Sequence, residues 1–118
     1  FTRRDLQDIA KSQGRPWDLA KGFDQSAPIS AILPVNYVAQ LGDRKISLSI
    51  NEEVRQQASL SEMIWTVPEI ISELSKFFEL KPGDIIYTGT PSGVSAVSKG
   101  DRLCASIDGI GVLDFRIV

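Results

Sequence analysis

A chain of 118 residues with 42% hydrophobic and 24% charged side chains is long enough to bury a core and too ordinary in composition for disorder. Thirteen Lys and Arg against fifteen Asp and Glu leave a net charge of -2, which offers no footprint for nucleic acid. The apolar runs span a few residues, where crossing a bilayer takes roughly 20, so no membrane partner is expected. The single cysteine, Cys104, excludes an intrachain disulfide, and with no histidine a Ser-His or Cys-His relay cannot be built from these residues alone. A soluble protein of the reducing cytoplasm is the expectation, with Cys104 a small buried residue of a strand.

The chain opens on Phe1 rather than Met and reads as a piece of something longer. Thr2 is placed to cap a helix over about residues 3 to 13, with Asp5 in its first turn. Leu6, Ile9 and Ala10 follow helical spacing, and Gly14 and Pro16 stop it. The run from Gly14 to Pro34 has no clean period and should be largely irregular, a kind of segment that often carries function. Ile46, Leu48 and Ile50 alternate with serines, Asn51-Glu52 can turn the chain, and Val54 to Gln57 can return, giving a hairpin with one apolar face.

Thr66 and Glu69 form a capping box, with Pro68 in the first turn of a helix over about residues 67 to 78. Ile70, Ile71, Leu74, Phe77 and Phe78 give that helix an apolar stripe to pack on a sheet. Pro82-Gly83 turns into Ile85-Ile86-Tyr87, read as a buried strand leading to the loop Thr88 to Gly93. Turns at Lys99-Gly100-Asp101 and Asp108-Gly109 frame two closing antiparallel strands, Leu103 to Ile107 and Val112 to Val118. The fold class is α+β with two main helices, more strand than helix, and no βαβ alternation.

Several residues have the chemistry to bind a ligand. Arg4 and Gln7 lie three positions apart on one helical face, so they either converge on one ligand or form a solvated face. Arg4 offers a fork of donors matched to a carboxylate, and Gln7 both donor and acceptor. Lys21 lies among Trp17, Leu19, Ala20 and Phe23; it either meets an anion there or runs its stem along apolar neighbours with its head in water. The loop Thr88-Gly89-Thr90-Pro91-Ser92-Gly93 presents hydroxyls and N–H groups at a strand end, or serves backbone geometry alone. It lacks the Lys-Ser/Thr ending of a phosphate loop. Asp24, Asp43 and Asp84 stand in turn contexts without a second acid at ligand spacing, and Glu52-Glu53 belongs to the surface.

Four segments together resemble the fumarylacetoacetate hydrolase family. Thr2-Arg3-Arg4-Asp5-Leu6-Gln7 and Gly14-Arg15-Pro16-Trp17 through Ala20-Lys21-Gly22-Phe23-Asp24 are similar to that family's first helix motif and lysine loop. Leu80-Lys81-Pro82-Gly83-Asp84-Ile85-Ile86-Tyr87-Thr88-Gly89-Thr90-Pro91 and Lys99-Gly100-Asp101 are similar to its late strand, threonine loop and closing turn.

The resemblance implies a mixed β-roll core and a homodimer. It implies an enzyme that acts on a small oxo-acid with Mg2+ or Mn2+, the metal polarising the 2-oxo carboxylate as a Lewis acid. The leading expectation is hydrolysis of a C–C bond in an acylpyruvate or fumarylpyruvate, with tautomerase, isomerase or decarboxylase chemistry as the alternative. Residues 1–118 would be the C-terminal part of one catalytic domain. The metal ligands, an aspartate just before Phe1 and a Glu-x-Glu pair, and a water-activating His-Glu dyad would all lie upstream, so no metal ligand is expected here. A non-catalytic fragment is the alternative from another class. Carried over by position, Arg4 and Gln7 contact substrate, Lys21 is the active-site lysine, and Thr90 holds the substrate carboxylate end.

Overall fold

The computed structural model describes residues 1–38 and 41–118, in two units, 1–31 and 32–118. In the first unit, α1 spans Arg4–Ser12 and α2 spans Asp18–Lys21. Helix α1 forms where the spacing predicts it, and Gly14 just beyond adopts the left-handed conformation, φ 60°. The cap differs from expectation. The N-cap residue is Arg3, which makes no side-chain cap bond, and the Thr2 hydroxyl accepts from Lys21 instead. Arg3 ties the two helices: its N–H donates to the Ala20 carbonyl over 3.0 Å, and its guanidinium lies 4.5 Å from the centre of the Phe23 ring. Ala20, only 1% exposed, fills the contact.

The second unit is built on a four-stranded antiparallel sheet of order β2-β1-β3-β4, with β1 Lys45–Ile50, β2 Glu53–Ser59, β3 Arg102–Ile107 and β4 Gly111–Arg116. The hairpin β1-β2 turns where expected. Asn51 and Glu52 both take positive φ, 50° and 72°, the combination a two-residue hairpin turn needs to match strand twist. Pairing of Ile46 with Ala58 and Ile107, Leu48 with Gln56 and Ala105, and Ile50 with Leu103 puts these side chains on one face. Ile50 and Leu103 are its buried centre. On the opposite face the Ser47 and Ser106 hydroxyls share a hydrogen bond of 2.9 Å, and Cys104 there is half-buried rather than buried as expected.

The register shifts between Leu48 and Ser49, which pair with Gln56 and Val54, so Arg55 is the extra residue of a β-bulge. Beyond the sheet, Asp101 anchors the closing turn. Its carboxylate accepts from the Ser98 N–H at 2.7 Å and from the Asn51 amide at 2.8 Å, and these bonds hold its pKa below the usual range.

The helix expected over about residues 67 to 78 is α3, which spans only Val67–Leu74. Its capping box is present in both directions between Thr66 and Glu69. At the other end, Lys76 and Phe77 bond three residues back to Glu73 and Leu74, and the Ser75 hydroxyl bonds the Ser72 carbonyl. The chain tightens and leaves the helix there, so Phe77 and Phe78 are 79% and 63% exposed rather than packed.

Ile85-Ile86-Tyr87 does not form the expected buried strand. No strand pairing forms there among the described residues, and Ile85 and Tyr87 are exposed. An extended apolar run becomes a strand only where a neighbour offers ladder bonds, and none of the four described strands does. The α+β class holds, with strand residues outnumbering α-helical ones among the described residues.

Candidate functional site

Each unit carries part of the expected residue set. In the first, helical spacing does bring Arg4 and Gln7 together: the Arg4 guanidinium donates to Gln7 Oε1 over 2.7 Å. Gln7 is 6% exposed, so this bond fixes the orientation of its amide. Arg4 is exposed and engages no carboxylate among the described residues, which leaves the rest of its donor fork open. Lys21 closes α2 and is also exposed. Its ammonium donates to Thr2 Oγ1 over 2.7 Å and has no carboxylate partner among the described residues. An ammonium braced by a neutral hydroxyl and not by a carboxylate can pair with an anion brought to it.

In the second unit Thr90 lies on an exposed loop, and its support comes from β2. The Gln56 amide nitrogen donates to Thr90 Oγ1 over 2.8 Å and to the Pro91 carbonyl over 2.7 Å. Gln56 is 8% exposed and faces the same side of the sheet as Leu48, where a polar group without partners would cost about 1–3 kcal/mol. The loop is pinned again two residues on. Gly93 has φ +95°, and a Cβ there would lie 2.1 Å from the Arg55 carbonyl oxygen, so the loop backbone comes close to β2 at the bulge.

Thr88, Gly89, Thr90 and Pro91 line a cavity of about 440 Å³. Ile46, Met63, Trp65 and Ile70 line it as well and make the lining mainly apolar. Glu62 also borders the cavity, but its carboxylate accepts from the Ser59 N–H at 3.0 Å. A cavity of this size, lined by apolar side chains and a few hydroxyl-bearing residues, takes a small organic acid.

Sequence reasoning missed Gln56. A glutamine in a strand reads as solvent-facing, and the one available signal was its position opposite Leu48, visible only once the bulge sets the register. Asp84 is a turn residue as read, its carboxylate accepting from the Lys81 N–H at 2.8 Å. Among the described residues no three His, Cys, Asp or Glu side chains come together to hold a metal ion. A divalent-metal site therefore does not fit these residues taken alone. Nor is any helix among them long and apolar enough to cross a membrane.

Residues 1–118 match the family described as Fumarylacetoacetate (FAA) hydrolase C-terminal. The chain is 40% identical over 117 residues to the fumarylpyruvate hydrolase of a Ralstonia species, covering 99% of this chain and 60% of that protein. It is 43% identical to the mitochondrial oxaloacetate tautomerase FAHD1 of Rattus norvegicus, covering 99% of this chain and 53% of that one. The crystal structure of fumarylpyruvate hydrolase from Pseudomonas aeruginosa in complex with Mn2+ and pyruvate superposes with a TM-score of 0.93 at 47% identity. That superposition covers 99% of this chain and 50% of the other. This chain belongs to the fumarylacetoacetate hydrolase family. It spans between 53% and 60% of the length of the two curated relatives.

Proposed function

We propose that the chain is the C-terminal part of one metal-dependent catalytic domain that hydrolyses a C–C bond in a small β-diketo acid of the acylpyruvate or fumarylpyruvate type. It would act as a homodimer in the cytoplasm, with Mg2+ or Mn2+ held by residues outside this sequence. The observation that carries this reading is the 47% identity, across nearly the whole chain, to an enzyme named for fumarylpyruvate hydrolysis whose structure contains pyruvate.

In such a reaction water adds to the acyl carbonyl and the bond to the neighbouring methylene breaks. The electron pair stays on the pyruvate side as an enolate, which a proton then quenches. Lys21 is the residue for the developing negative charge, since a fixed cation acts most where charge appears in the transition state. Its exposed ammonium, held by a neutral hydroxyl, suits that role. Arg4, with donors to spare, and Gln7 bind substrate oxygens. Thr90 donates to the substrate carboxylate end, and the apolar lining of the adjoining cavity takes the carbon chain.

Relatives 43% identical and named oxaloacetate tautomerase favour a second reading, in which an enolate of the intact oxo-acid forms by loss of a C–H proton and no water attacks the carbon chain. The full-length protein with Mn2+ distinguishes the two. Pyruvate released from fumarylpyruvate supports hydrolysis; enol-keto conversion of oxaloacetate without any pyruvate release from an acylpyruvate supports the tautomerase.

A further inference from the structure

We infer that Gln56 is a positioning residue that fixes the Thr90 hydroxyl as a hydrogen-bond donor, so that this point of the chain selects an anionic carboxylate oxygen over a neutral amide. The inference rests on the reading of Thr90 as a substrate-binding residue and adds the cause of its selectivity.

The Pro91 carbonyl carries no hydrogen and can only accept. It lies 2.7 Å from Gln56 Nε2, which sets the orientation of the amide, since a flipped Gln56 would turn its own carbonyl oxygen toward another carbonyl. Nε2 has two hydrogens. One goes to Pro91, and the other goes to Thr90 Oγ1 at 2.8 Å. The Thr90 oxygen is thereby an acceptor on its inner side, and its own hydrogen must point elsewhere. Thr90 is exposed and has no second hydrogen-bond partner among the described residues, so that hydrogen is available to a ligand.

Two features keep the arrangement rigid. Gln56 is more than nine-tenths buried, and the Gly93 backbone approaches the Arg55 carbonyl immediately before it. Thr90 itself lines a mainly apolar cavity. With one of its two lone pairs taken by Gln56, the hydroxyl offers a ligand its hydrogen and a single remaining lone pair, and that hydrogen bonds more strongly to a charged oxygen than to a neutral one.

The test compares pyruvate with its neutral counterpart pyruvamide as competitive inhibitors of the full-length, Mn2+-loaded protein. Gln56→Glu replaces the donor by an acceptor and draws the Thr90 hydrogen inward. Gln56→Met keeps length and removes the donor, in apolar surroundings that favour its folding. Both variants are expected to lose about tenfold of the preference for pyruvate over pyruvamide, with KM raised far more than kcat falls. A merely structural role would lower the melting temperature and leave that preference intact, overturning the proposal. Thr90→Val separates the layers. If it leaves pyruvate binding unchanged, the reading of Thr90 itself fails; if it weakens binding while both Gln56 variants keep the preference, the Gln56 inference alone fails. Should neither Gln56 variant fold, a crystal structure of the wild-type protein with pyruvate decides. A carboxylate oxygen about 2.7 Å from Thr90 Oγ1, with Nε2 on the far side, supports the inference, and its absence overturns it.

Discussion

The Lys21 ammonium donates to the Thr2 hydroxyl over 2.7 Å, across the junction between α2 and the start of α1. Thr2 thus serves the lysine and not the cap of α1, and the Lys21 ammonium is held without a carboxylate partner among the described residues. Lys21→Met should therefore lower turnover of the full-length enzyme by about a hundredfold or more, the range seen when a donor to a developing oxyanion is removed. Stability should move by no more than about 0.5 kcal/mol, as for other exposed substitutions. Steady-state kinetics beside a melting curve checks both, and an unchanged kcat would return Lys21 to a surface residue.

Thr90→Val removes one hydrogen bond to a charged group and keeps the side-chain shape. The expected result is a KM about ten times higher or more with kcat within a few-fold. Loss of thermal stability with unchanged kinetics would instead make the loop purely structural.

Gly93→Ala tests the close approach of that loop to β2. A methyl group would meet the Arg55 carbonyl oxygen at a position whose φ of +95° already disfavours any side chain. The substitution should destabilise the protein by more than about 1 kcal/mol and weaken substrate binding together with it, because the displaced loop carries Thr90. Denaturant unfolding and KM measured on the same sample read both effects.

Much of the second unit was legible in the sequence, because the deciding signals were local. Alternation in Ile46, Leu48 and Ile50 and the Asn51-Glu52 turn are properties of a few neighbouring residues, and so is the Thr66-Glu69 box. What stayed hidden depended on distant partners. Ile85 to Tyr87 has the composition of a strand and no described neighbour to pair with. Phe77 and Phe78 continue a helical stripe, but the backbone leaves the helix ahead of them. Among the site residues, Arg4 with Gln7 could be paired by spacing, whereas the Gln56 support of Thr90 joins positions 34 apart in the chain.

The α3 capping box sets an acid limit on stability. Glu69 accepts from the Thr66 backbone N–H and from its hydroxyl, which hold its pKa below the ordinary glutamate value. A carboxylate depressed in the folded state contributes stability that is complete above the unfolded pKa and is lost as pH falls through the folded one. Glu69→Gln should flatten that part of the melting-temperature profile at acid pH, and Thr66→Ala should cost about 1 kcal/mol at neutral pH. A profile identical to wild type in the glutamine variant would show that the box does not contribute.

Pyruvate release tests the central proposal most directly. The full-length protein, loaded with Mn2+, is given fumarylpyruvate, and pyruvate is followed with a coupled lactate dehydrogenase assay. The account predicts one pyruvate for each substrate consumed, a rate that falls sharply in Lys21→Met, and loss of release on chelation of the metal. Conversion of oxaloacetate between enol and keto forms with no pyruvate from any acylpyruvate would contradict it.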